Sequence, residues 1–128
     1  MLDSMAHVCI GTRDMDRSIR FYTETLGMKL TGRRALPNGV VIAMVSAGGT
    51  AEIEIIHNPN REWPPSGGSD VIGLRHVAFW VKDVDGVVAE LKGRGVEFYR
   101  EPAPKGSPVR VAFFRDPDNT AVELMERT

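Results

Sequence analysis

Apolar positions change period along the chain, and each change marks an element. In the first helical stretch Ile19, Tyr22 and Leu26 share one face, and Gly27 can take the left-handed position that ends a helix. In the second, Val84, Val87, Val88 and Leu91 fall at i, i+3, i+4 and i+7, with Gly93 and Gly95 as stop signals. A β-rich apolar segment precedes each helix and gives way to an aspartate, Asp14 or Asp83, suited to capping the first turn. Three strand-like segments follow each helix. They lie near residues 28–34, 40–46 and 51–57 in the first half, and near 96–100, 109–115 and 121–125 in the second. Pro37-Asn38-Gly39, Gly48-Gly49 and Asp116-Pro117-Asp118-Asn119 supply turns between them. The order in each half is β-α-β-β-β, an α+β class. The chain reads as one domain, 1–128, of two repeats (about 5–57 and 73–126) joined by a loop at 58–72 rich in Pro, Gly and Ser. Trp63 is the one aromatic residue of that loop and is expected to pack it down, with lining a pocket as the alternative.

The repeat carries chemistry. His7 and His76 are 69 residues apart (76 − 7), and so are Glu54 and Glu123 (123 − 54). A strand points alternate residues to opposite faces, so Glu52 and Glu54 share a face, as do Ala121 and Glu123. Only Glu54 and Glu123 recur at the common offset, and Glu52 is expected toward solvent. Two imidazoles and two carboxylates suit a divalent ion such as Zn²⁺, Ni²⁺, Co²⁺, Fe²⁺ or Mn²⁺. They leave positions open for two oxygens of a substrate. The predicted ligands are therefore His7, Glu54, His76 and Glu123.

Composition narrows the setting. Neither half of a 128-residue chain can bury much apolar surface alone. A net charge of −1 disfavours nucleic acid as a partner. The single cysteine, Cys9, excludes an intrachain disulfide and fits a reducing, cytoplasmic setting; it is expected as a small buried apolar residue of a strand. The N-terminus has no basic-then-apolar leader pattern, and the aliphatic run Val40 to Val45 is too short to span a bilayer. His57, Arg13, Arg33 and Arg34 are expected in solvent. Lys105-Gly106 opens a segment that could close over a ligand.

The chain resembles the vicinal oxygen chelate superfamily, which includes glyoxalase I, methylmalonyl-CoA epimerase, extradiol dioxygenases, fosfomycin-resistance transferases and bleomycin-resistance proteins. The marks are His7-Val8, Asp14 to Tyr22, Leu26 to Leu30, Ile53-Glu54, Gly73 to Phe79, Phe114 to Asp118 and Val122-Glu123-Leu124. The resemblance implies two βαβββ modules in a cupped half-barrel sheet around one divalent ion. It also implies a homodimer in which His7 and Glu54 of one chain meet His76 and Glu123 of the other. His, Glu, His, Glu is the ligand set of glyoxalase I. The implied activity is a metal-dependent lyase or isomerase that moves a proton on a small vicinal-oxygen substrate through an enediolate. Glu123 is the first expected base and Glu54 the second.

Two alternatives stand beside it: an extradiol-type dioxygenase or epimerase-like isomerase, and a non-catalytic protein that binds a small antibiotic. The sequence departs from bacterial glyoxalase I at Gly11, where that enzyme carries an arginine that holds a glutathione carboxylate. Lys105-Gly106 matches a substrate-side loop of the same enzyme. Ile42 stands at or near the place of the epimerase's extra glutamate base.

Overall fold

The computed structural model describes residues 1–64, 66–67 and 70–127. It divides into two compact units, Met1–Pro64 and Pro65–Thr128. Residues 65, 68 and 69 of the connecting loop lie outside the described residues.

In the first unit β1 (His7–Gly11) leads into α1 (Met15–Arg20), then β2 (Lys29–Ala35), β3 (Val41–Ser46) and β4 (Glu52–His57). The sheet order is β1-β4-β3-β2, with β1 parallel to β4 and the other pairs antiparallel. The second unit repeats this plan with β5 (Val77–Val81), α2 (Val84–Gly93), β6 (Phe98–Arg100), β7 (Val111–Arg115) and β8 (Ala121–Glu126), in the order β5-β8-β7-β6. The class is α+β, as the hydrophobic pattern predicts, and neither four-stranded sheet closes into a barrel. Among the described residues no helix is long and apolar enough to cross a membrane.

Both helices begin as expected. The Asp14 carboxylate accepts from the Arg17 amide at 3.0 Å, and the Asp83 carboxylate accepts from the Gly86 amide at 3.1 Å. The first helix does not stay regular. After Arg20 it widens into a π-helical turn, Phe21–Thr25, and Gly27 ends it at φ 75°. Its fully covered face is Met15, Ser18 and Tyr22, while Ile19 and Leu26 are only half-buried. Ser18 tolerates burial because its hydroxyl lies 2.5 Å from that of Thr12.

Each sheet buries one face under its own helix. Ile10, Ala43, Val45, Ile53 and Ile55 form that face in the first unit, and Ala112, Phe114, Val122 and Leu124 in the second. The opposite face carries the candidate chemistry. A polar network ties the second unit together at the edge of its core. The Arg110 guanidinium donates to both Asp85 oxygens at 2.6 and 2.7 Å, and to both Glu126 oxygens at 2.8 Å. Glu126 also accepts from the Val84 amide at 2.9 Å, so it fastens β8 to the start of α2.

Candidate metal centre

Alternation along β1 leaves Val8 and Ile10 toward the core and His7, Cys9 and Gly11 on the open face. On β4, Ile53 and Ile55 are buried, and Glu52 and Glu54 stand on the open face between them. His7 opposes Glu52 in register, and Cys9 opposes Glu54. His7 reaches across this offset so that its Nε2 lies 3.7 Å from Oε2 of Glu54.

The second unit repeats the arrangement. His76 immediately precedes β5, Ala78 opposes Glu123, and His76 Nε2 lies 3.0 Å from Oε2 of Glu123. Glu123 is 8% exposed. On its other side its register partner is Phe113, whose ring stands edge-to-face with the His76 imidazole at 5.5 Å and 89°. That contact fixes the plane of the imidazole.

Each pair fits two neighbouring ligands of one ion. Donors about 2.1 Å from a shared cation, at octahedral or tetrahedral angles, stand roughly 3.0–3.4 Å apart. The second pair matches this spacing as it stands, and the first needs a few tenths of an ångström of closure. Imidazole nitrogen with carboxylate oxygen suits a borderline divalent ion. Among the described residues no group of three or more His, Cys, Asp or Glu side chains is gathered to hold an ion within the chain. Each unit therefore offers two donors.

Several expectations change. Cys9 is not a buried core residue. It lies on the exposed side of β1, where its thiol hydrogen-bonds to Glu54. Loss of water around the thiol, followed by the bond to the Glu54 carboxylate and the charge beside it, pushes its pKa up to about 11, so it stays protonated at neutral pH. Glu52 is half-buried rather than simply solvated, and it accepts from the Thr31 hydroxyl at 2.8 Å. His57 is the last residue of β4, not an exposed loop residue, and its Nδ1 lies 3.0 Å from the Thr12 carbonyl oxygen.

Arg33 stays exposed and pairs with Asp16 at 2.8 Å. Lys105 and Gly106 form a turn with Gly106 at φ 89°. Among the described residues no hydrogen bond or ion pair joins Lys105 or Gly106 to His76 or Glu123. Trp63 packs the loop down, as expected, and does so on Gly11: a Cβ built there would lie 2.7 Å from its ring. Sequence reasoning missed the parts of Cys9 and Phe113. The signal for Phe113 was available, since it is the 69-residue image of Met44, which opposes Glu54.

The whole arrangement matches one family. The model of the Glyoxalase/Bleomycin resistance protein/Dioxygenase superfamily covers residues 4–124. The chain belongs to that superfamily. A Synechocystis protein named "Probable lactoylglutathione lyase" is 32% identical over 95% of this chain and 94% of its own length. An Arabidopsis thaliana protein named "Probable lactoylglutathione lyase, chloroplastic" is 37% identical over 96% of this chain, which spans only 35% of the plant protein. Lactoylglutathione lyases are enzymes, and several curated superfamily relatives carry that name. Among solved structures, glyoxalase I from Zea mays aligns with a TM-score of 0.80 at 32% identity, over 97% of this chain and 44% of the maize chain. The antibiotic-binding protein TnmS3 from a Streptomyces species aligns with a TM-score of 0.77 at 25% identity, over 99% and 98% of the two chains.

Proposed function

We propose that this chain is a metal-dependent, glyoxalase I-like lyase or isomerase that moves a proton on a small substrate with vicinal oxygens. One observation carries the reading: the same His/Glu pair occurs at the same register point of two repeats, on the open face of each sheet. The names of the curated relatives support the reaction class.

His7, Glu54, His76 and Glu123 would hold the ion. Each unit supplies two of them, so a complete set needs two units. We assign them to a homodimer, with His7 and Glu54 from one chain and His76 and Glu123 from the other. The length relation fits this assignment, because this chain aligns with 44% of the maize enzyme and two copies approach its length. The bound ion would polarise the two vicinal oxygens and acidify the hydrogen on the adjacent carbon.

The protein's own groups do the rest. Glu123 is held near the middle of a strand and shielded by Phe113 and Ala78, which positions it to take that hydrogen as a proton. The electron pair shifts toward the neighbouring carbonyl. The proton returns to the former carbonyl carbon, and a hemithioacetal becomes the thioester of a 2-hydroxy acid without any outside oxidant or reductant. Glu54 is the second candidate base. His7 and His76 stay fixed, the latter held by the Phe113 edge.

The test is thioester formation from methylglyoxal hemithioacetals by metal-loaded protein. Steady turnover that disappears in Glu123→Gln supports the reading, and oxygen consumption with a catechol in its place refutes it. A second reading has a specific likeness behind it, the antibiotic-binding protein TnmS3. It requires saturable binding of an apolar ligand with no turnover of any hemithioacetal.

A further inference from the structure

Register sorts the open face of the first sheet into rows. One row contains Cys9, Glu54 and Met44; the next contains Gly11, Ile56 and Ile42. Two residues separate the rows, on the order of 7 Å along the strands. The second row is apolar, and the Trp63 indole lies on its Gly11 end, with 37% of the residue exposed. Glycine is required there, since an added Cβ would meet two ring atoms at 2.7 and 2.8 Å.

The second sheet has the same row. Trp80, the 69-residue image of Gly11, opposes Met125, and Met125 opposes Val111. An indole and two apolar side chains thus occur in both units, next to the row of the glutamate. In one unit the indole comes from the strand itself, and in the other from a loop folded onto a glycine. Two separate routes to one surface argue that the surface is used. The two indoles differ in what covers them. The Arg127 guanidinium lies 5.3 Å over the Trp80 ring, whereas Trp63 rests on a bare glycine.

We infer that Trp63, with Ile56, seats the substituent that the substrate carries beside its reacting oxygens, and that this substituent is planar and apolar. The inference rests on the proton-transfer reading above and names the substrate class for it. A flat ring about 7 Å from the Glu54 row can stack on the exposed indole and cover the half-buried Ile56, with the buried Ile42 behind it as an apolar floor. Gly11, Ile56 and Ile42, the members of this row, carry no charge. Arg34 is the register partner of Ile42 at the far end, roughly 14 Å away across three strand spacings. A peptide-like thiol with carboxylates therefore gains little from this row.

The experiment compares three hemithioacetals of methylglyoxal, formed with benzyl mercaptan, 2-mercaptoethanol and glutathione. The expected kcat/KM is highest for benzyl mercaptan. Trp63→Ala should lower that value about tenfold, the upper end of what an aromatic pair contributes, and Trp63→Phe should keep most of it. Neither change should move the 2-mercaptoethanol value by more than about twofold. A preference for glutathione, or an equal loss with all three thiols, overturns the inference.

A binding readout separates this inference from the reaction. In a Trp80→Phe background Trp63 is the only indole, and benzyl mercaptan should quench its fluorescence saturably while glutathione does not. Saturable quenching without turnover removes the proton-transfer reading and keeps the seat. Turnover without quenching keeps the reaction and removes the seat.

Discussion

Glu123 and Glu126 stand three residues apart on β8 and carry different jobs. Glu123 faces the open side beside His76. Changing it to Gln keeps the size and removes the proton acceptor, so kcat should fall by at least about a hundredfold while the circular dichroism spectrum stays unchanged. Glu126 is structural. The Val84 amide, and then the Arg110 guanidinium, hold its carboxyl below the ordinary value of 4.5. A carboxylate with a depressed folded pKa stabilises the fold above 4.5, and that contribution is lost as pH falls through the folded value. Glu126→Gln should therefore lower the melting temperature at neutral pH, and the deficit should shrink below pH about 4.5. Melting curves across pH 3–7 check this, and a deficit that stays constant counts against it. At this scale the four ligand candidates were legible because they recur at one offset. Cys9 against Glu54 and Trp63 on Gly11 were not, because both contacts depend on register and on how a loop folds back.

The elements were legible where a local rule decides them. Asp14 and Asp83 cap as their places before apolar periodic stretches require. Asp83→Ala should cost about 1 kcal/mol of stability, read from denaturant midpoints. Phe114→Ala opens a hole beneath the second sheet, because the ring is fully buried against Phe98 at 5.2 Å; a loss of about 3–5 kcal/mol is expected in the same measurement. The strands β2, β3 and β4 lie within a residue of their sequence-based bounds. The π-helical turn Phe21–Thr25 was invisible, since periodicity marks which residues are apolar but not where a helix widens to bring Tyr22 fully into the core. The polar network of Arg110, Asp85 and Glu126 was equally hidden. Its members are separated by 16 and 25 residues and meet only when β7, β8 and α2 are packed.

The whole chain is two copies of one βαβββ plan, and among the described residues neither copy alone gathers more than half of a four-donor site. The 44% share of the maize chain that this chain covers supports the proposed pairing of two copies. Sedimentation should report a dimer at micromolar concentration, and chelator treatment should inactivate it without unfolding either sheet. The most direct measurement is metal content by elemental analysis, on protein purified without chelator and again after reloading, for the native chain and for His76→Ala. The proposed centre requires about one Ni²⁺, Co²⁺, Zn²⁺, Fe²⁺ or Mn²⁺ per chain in the native protein, falling to a small fraction in the variant with the fold intact. Native protein that neither retains nor takes up metal, or a variant that holds as much as the native chain, contradicts the centre and leaves binding without chemistry as the function.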